Sequence, residues 1–486
     1  MKGAKISGAR HRRQGFHTLD KDLGRLSYTE MAKASALRPV LVLGLAVLAL
    51  VAGLIMAIGM TGRADHATIR LGAGLLVACW LGLAIGSNDV ANSLGPAVGA
   101  GAIGILPGLI LVALAEIAGA GLAGGEVTHR LANGIFDPGL LQPGAQPQLM
   151  LAALIGAAVW ISLATGLRLP VSTSHSVVGA IIGASSAALG VLSVNWGTLL
   201  TIALGWILSP VAAGAVAAGV LIFVTRQVGE ARDRTRAALL WLPLLVGAMA
   251  GFFIAYLGLL IAGRLQVGGW PPVIAGLIAA AGAGWVMRLR IAAETLRHKS
   301  RPRLKYLFAP PLVAGAAIMA FAHGANDVGN VAGPLSAILS RTGADGGVPL
   351  PVLMMAGVAI AAGTVLFGRR LVVMVGGGIT RLNPVRAFCV SLATGLIVLV
   401  ASGAGLPVST THVAVGGIFG VGFAREWLER RVQAGHRPFP AEETRRRLLV
   451  RRSHVVTISM AWLITVPATA LLGGGAWLLI ALAAGR

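Results

Sequence analysis

Apolar runs long enough to cross a bilayer recur from residue 39 to residue 484, separated by short polar or basic stretches. The hydrocarbon core of a bilayer takes roughly 20 such residues per helix. No water is present there to satisfy backbone N–H and C=O groups, so a spanning segment must close its hydrogen bonds internally, as a helix does. Composition agrees. Of the 486 residues 56% are hydrophobic and 12% charged, against about 25% charged in an ordinary soluble domain. The expected fold class is an all-α polytopic membrane protein.

Thirteen membrane segments are predicted, at 39–60, 70–104, 106–125, 149–167, 175–192, 198–224, 237–263, 271–287, 308–340, 349–368, 386–403, 411–424 and 453–484. The net charge of +23 is concentrated in loops: 33 of the 40 Lys and Arg lie in blocks 1–38, 226–236, 288–305, 369–386 and 425–452. Positive loops mark the cytoplasmic side. With the N-terminus inside, thirteen crossings put all five blocks there, next to anionic lipid. None of the blocks interleaves aromatic residues as single-strand binding requires, which argues against nucleic acid. Cys79 and Cys389 fall inside apolar segments and read as small core residues. The polar arm that opens the chain does not have the build of a signal peptide. The organisation that follows is a basic cytoplasmic arm (1–38), an extra helix and loop (39–69), a first repeat (70–225), connecting helices with a basic loop (226–306), a second repeat (307–424), a further basic loop (425–452) and a last helix (453–486).

The repeats are spelled out twice. "GSNDVANSLGP" at 86–96 returns as "GANDVGNVAGP" at 324–334, and "LPVSTSHSVVGAIIGAS" from Leu169 returns as "LPVSTTHVAVGGIFGVG" from Leu406. The step from Asn88 to Pro170 is 82 residues and from Asn326 to Pro407 it is 81. The first signature descends through the membrane and the second ascends, so the pattern is an inverted-topology repeat, and matching Gly/Pro-interrupted segments point to a transporter's binding site. Segments 70–104 and 308–340 are too long for one straight crossing, and each is expected to break at its Asn-Asp. Segment 411–424 rises only about 21 Å and is expected to be a re-entrant half-helix.

Of the seventeen acidic residues, only Asp89, Glu116 and Asp327 fall well inside predicted spans. A carboxylate at that depth costs several kcal/mol unless paired or hydrated. No Lys or Arg shares those spans, so a bound cation or a proton is the expected partner. Asn88, Asn92, Asn326 and Asn330 add hard oxygen ligands around the two Asp, suited to an alkali cation such as Na+. Helix capping would explain one such motif; two copies argue for a site. In "PVST" the Pro halts a preceding helix and Ser or Thr caps the next. The first-turn N–H groups, with the positive end of the helix dipole behind them, then form an anion site without a formal positive charge. Two such half-helices would cradle a tetrahedral oxyanion between Ser172, Thr173 and Ser174 on one side and Ser409, Thr410 and Thr411 on the other. His175 and His412 follow the two motifs at equal spacing and are candidates for packing or for proton relay; His323 and His129 carry weaker signals. Glu116 aligns with Ile360, so one half carries an acid the other lacks. The Trp and Met residues scatter and read as packing or interfacial anchors.

At these residues the chain resembles the inorganic phosphate transporter (PiT) family, which carries a Gly-Ala-Asn-Asp-Val-Ala-Asn signature and a Pro-Val-Ser-Thr-Thr-His motif in each half. "GWILSP" at 205–210 and "GGGITRLNP" at 376–384 are similar to further family segments, and the resemblance covers about residues 70–484. Ser87, Gly329 and Ser174 depart from the pattern without removing a polar group the site needs. The resemblance implies import of inorganic phosphate with sodium or a proton across a bacterial inner membrane, with no further cofactor and no enzymatic activity. Sulfate is the alternative substrate, although two Asp acceptors suit the protons of HPO4 and H2PO4. An intramembrane aspartyl hydrolase and a passive channel are the rival classes. On this reading Ser172, Thr173, Ser174, Ser409, Thr410 and Thr411, with Asn88 and Asn326, bind phosphate. Asp89, Asp327, Asn92, Asn330 and Glu116 handle the coupling ion. Homo-oligomerisation is left open.

Overall fold

The computed structural model describes residues 66–142, 144–166, 171–266, 268–298, 303–339, 347–378, 382–433 and 452–483. The N-terminal arm, the extra segment 39–60, Leu169 with Pro170, and most of the basic block 425–452 lie outside the described residues. Ten helices there are long and apolar enough to span a membrane, and a shorter apolar one covers Thr173–Leu189. The chain is a multi-pass α-helical membrane protein.

The first half comprises α1 (His66–Gly99), α2 (Ile105–Ala123), α3 (Gly125–Asn133), α4 (Gln146–Gly166), α5 (Thr173–Leu189) and α6 (Trp196–Val224). Helices α7 (Arg234–Leu265) and α8 (Trp270–His298) connect the halves and pack on each other. The second half repeats the order as α9 (Ala309–Ile338), α10 (Leu350–Phe367), α11 (Arg369–Gly378), α12 (Pro384–Gly403), α13 (Thr410–Gln433) and α14 (Arg452–Ala483).

The halves are interlocked rather than set side by side. Helix α1 packs on α10 and α11, and its counterpart α9 packs on α2 and α3; likewise α6 packs on α13 and α14 on α5. Glycine makes the central crossings possible. A Cβ at Gly86 would overlap the Ile360 carbonyl, and one at Gly363 the Leu83 carbonyl. In the pseudo-equivalent crossing Gly324 lies against the Glu116 carbonyl and Gly119 against that of Phe321. The signature glycines therefore set the distance at which each Asn-Asp approaches the other half, with backbone on backbone.

Three expectations are corrected. Helices α1 and α9 run unbroken through their Asn-Asp pairs; the polar side chains find partners laterally, so the helical ladder need not open. The interruptions fall instead at Gly124, between α2 and α3, and at Gly368, between α10 and α11. There the Val of each signature fills the space a side chain would need, Val328 against Gly124 and Val90 against Gly368. Finally, α13 does not stop near residue 424 but continues to Gln433. Its charged end is supported along the helix, with Arg425 Nε 2.7 Å from Glu429 Oε1 and the Arg431 guanidinium 4.3 Å from the centre of the Trp427 ring.

Candidate functional site

The α1–α9 contact brings both signature carboxylates to one place. Asp89 and Asp327 are fully buried, and together with His323 they offer ligand atoms within 4.8 Å of one another. Repeat symmetry governs the first partners. Thr173, in the first turn of α5, donates to Asp89 Oδ2 at 3.1 Å, and its counterpart Thr410, in the first turn of α13, donates to Asp327 Oδ2 at 3.2 Å. Asn92 Nδ2 stands 3.3 Å from Asp89 Oδ1, and Asn330 Nδ2 3.2 Å from Asp327 Oδ1.

The next partners cross between halves. Thr411 donates to Asp89 Oδ1 at 3.0 Å and accepts from Asn92 Nδ2 at 2.8 Å. Its counterpart Ser174 instead donates to the Val408 carbonyl at 2.9 Å and accepts from Asn330 Nδ2 at 3.4 Å. The first signature Asn also differs from its copy. Asn88 Nδ2 donates to Asp89 Oδ1 at 3.0 Å and to the Val171 carbonyl at 3.4 Å, whereas Asn326 turns to Ser402 Oγ and the Leu406 carbonyl, both at 3.0 Å. Ser172 and Ser409 are the predicted caps, accepting from the backbone N–H of His175 at 3.2 Å and of His412 at 3.3 Å. Helix geometry leaves the N–H groups of Thr173 and Ser174, and of Thr410 and Thr411, without a carbonyl four residues back.

One residue of this site had only a weak signal in the sequence. His323 is fully buried one turn before Asp327. Its Nε2 stands 2.9 Å from Asp327 Oδ2 and 3.8 Å from Asp89 Oδ2, and its Nδ1 is 2.8 Å from Glu116 Oε1. The spans that lack Lys and Arg thus bring a histidine to the carboxylates, with Nδ1 facing Glu116 and Nε2 facing Asp327. Glu116 Oε2 in turn receives Thr364 Oγ1 at 2.8 Å, and Thr364 Oγ1 also stands 3.2 Å from the Gly86 carbonyl. The signal was the break in the repeat. His323 matches Ile85 as Glu116 matches Ile360, and the two substitutions touch each other. His175 and His412 do meet, with ring centres 4.6 Å apart. His129 lies apart from them, in a cleft of about 290 Å³ lined also by Glu126, Arg130 and Thr198.

Two buried carboxylates with threonine hydroxyl oxygens beside them suit a hard monovalent cation, and the convergent half-helix N-termini suit an anion beside it. Such a pair of sites, built at the crossing of two interlocked repeats in a bundle of membrane-spanning helices, belongs to a membrane transporter. The chain belongs to the phosphate transporter family: that family's sequence profile matches residues 85–473. It is 36% identical over 446 residues to a candidate phosphate permease of Helicobacter pylori strain J99, covering 88% of this chain and 80% of the relative. It is 31% identical over 439 residues to the chloroplastic inorganic phosphate transporter 2-1 of Arabidopsis thaliana, covering 82% and 70% of the two chains. A solved structure titled "The sodium-dependent phosphate transporter" superposes with a TM-score of 0.76 at 28% identity, covering 84% of this chain and 98% of that one.

Proposed function

We propose that the protein is a sodium-coupled inorganic phosphate symporter that imports phosphate across a bacterial inner membrane by alternating access between its two halves. The observation that carries this reading is the convergence of Asp89 and Asp327, each met by the first turn of a capped half-helix. Asp89 and Asp327, with Asn92, Asn330 and the threonine hydroxyls that touch the carboxylates, hold the coupling ion; Glu116 acts behind them through His323. The first-turn N–H groups of α5 and α13, with the hydroxyls of Ser172, Thr173, Ser174, Ser409, Thr410 and Thr411, hold phosphate, the threonines being shared with the ion site, and Asn88 and Asn326 fix the loops that present them. Sodium is favoured over the proton by the likeness to a solved transporter titled as sodium-dependent. The relatives reported above are phosphate transporters by name, and nothing supports the sulfate alternative.

Radiolabelled phosphate uptake into proteoliposomes, with sodium and pH gradients imposed separately, tests the reading. Uptake driven by the sodium gradient alone is expected. Uptake that follows only the pH gradient would make the proton the coupling ion. Indifference to both gradients would mean a passive pore.

A further inference from the structure

The extended stretch that leads into α13 lies among buried helices, and three consecutive carbonyls there are each met by a side chain from elsewhere. Asn326 on α9 donates to Leu406 O at 3.0 Å, Trp206 on α6 to Pro407 O at 2.8 Å, and Ser174 on α5 to Val408 O at 2.9 Å. Non-helical backbone at membrane depth persists only where protein or a watery cavity satisfies it, and here protein does so one carbonyl at a time. Asn326 and Ser174 already belong to the proposed phosphate set. Trp206 does not; in the sequence it reads as a packing residue or interfacial anchor within the segment 205–210.

Its ring has a second contact. The indole stacks on His175, with centroids 3.6 Å apart and planes 30° apart. A ring nitrogen of His175 in turn contacts the Ser172 hydroxyl, the cap of α5. One side chain thus touches both anion loops, the second through its N–H and the first through its face. A half-buried Trp N–H normally finds some acceptor, but an ordinary packing residue has no reason to choose the carbonyl two residues before a cap.

We infer that Trp206 is a positioning residue for the phosphate site. Its N–H fixes the Pro407 carbonyl so that Ser409 and the first-turn N–H groups of Thr410 and Thr411 keep their aim, and its ring holds His175 against the cap of the other half-helix. The inference rests on the reading of α5 and α13 as the anion loops.

The test uses the full chain in proteoliposomes with inorganic phosphate as the probe. Trp206→Phe keeps an aromatic face for His175 and deletes the N–H. 3-Benzothienylalanine at position 206 keeps the shape of the indole as well, and it decides the matter if the Phe variant does not insert. The phosphate KM is expected to rise about fivefold, the share of one hydrogen bond, with maximal rate per inserted protein, melting temperature and sodium dependence little changed. An unchanged KM in the benzothienylalanine protein overturns the inference, as does a lower melting temperature with KM unchanged. Ser409→Ala combined with Thr410→Val, measured alongside, separates the two levels. If that variant also leaves KM unchanged, the anion-loop reading fails and takes the Trp206 inference with it. If it raises KM while the Trp206 variants do not, only the role of Trp206 fails.

Discussion

The crossing of α2 with α9 and the crossing of α1 with α10 are built on matching glycine contacts but differ at one pair of ionisable side chains. Both are held by glycines pressed on carbonyls. At the first, Glu116 faces His323; at the matching positions of the second stand Ile360 and Ile85, and all four residues are fully buried. Asp327 therefore has an imidazole 2.9 Å away, while Asp89 depends on the Thr411 hydroxyl and the amides of Asn88 and Asn92. The two Asp sites of the repeat thus have different surroundings, His323 Nε2 lying 2.9 Å from Asp327 but 3.8 Å from Asp89. On the proposed alternating-access reading, the inverted repeat supplies two related access states. On the proposed symport reading, the Glu116–His323 pair is what makes the two Asp sites unequal.

The largest effect is expected where the two halves are most alike. Asp89→Asn and Asp327→Asn should each abolish gradient-driven uptake while leaving the protein inserted, since each removes one of the two repeated intramembrane carboxylates. Near-normal coupled uptake in either variant would show that its carboxylate is not a coupling ligand.

The next experiment erases the difference between the crossings. Glu116→Ile alone and His323→Ile alone each strand a buried ionisable partner and should cost about 3–5 kcal/mol of stability. The double variant makes the α2–α9 crossing resemble α1–α10. Because replacing a buried pair by apolar side chains is often neutral or stabilising, it should recover most of that stability in thermal unfolding. Uptake should not recover with it. If transport returns together with stability, the pair is structural and the asymmetry carries no function.

How much of this was legible before the structure depends on what the repeat spells twice. Asp89 with Asp327, and the caps Ser172 and Ser409, could be read from the sequence because each motif recurs at matched spacing, and a coincidence of that kind has few other causes. His323 acts once; it becomes visible only when its counterpart is seen to be Ile85, and its partnership with Glu116 requires α2 to pack on α9, which no local pattern encodes. Trp206 is less legible still, because its acceptor is a backbone carbonyl 201 residues away. The helix breaks were misplaced for a physical reason. Polarity at Asn-Asp suggests an opened backbone, but those side chains bond laterally to hydroxyls, carbonyls and each other, and the helices are interrupted at Gly124 and Gly368, where the signature valines crowd them.

A smaller effect tests whether the half-helices contribute equally. Ser172→Ala with Thr173→Val, and separately Ser409→Ala with Thr410→Val, remove two hydroxyls from each half. A hydrogen bond to a charged group is worth roughly 1.5–3 kcal/mol, so each double variant should raise the phosphate KM about tenfold or more. Thr173 and Thr410 also touch the carboxylates at 3.1 and 3.2 Å, so the sodium concentration for half-maximal uptake should rise as well. A capping role alone predicts about 1 kcal/mol of lost stability per cap with KM unchanged. An effect from one half only would break the symmetric cradle.

The smallest effect is expected outside the repeats. Residues 1–60 hold the basic arm and one apolar segment, with no counterpart in the second half, and the family profile begins only at residue 85. Among the described residues, the interlocking of the two halves involves α1–α6 and α9–α14, with matching partners in the two halves. Removing residues 1–60 should therefore leave phosphate KM and sodium dependence unchanged per inserted protein. The amount inserted should fall, because the arm carries nine of the basic residues that orient the first crossing. Uptake normalised to protein accessible in the bilayer is the deciding measurement. If a correctly oriented truncation inserts normally yet transports nothing, the added segment belongs to the mechanism. The comparison between halves would then need a third element that neither repeat contains.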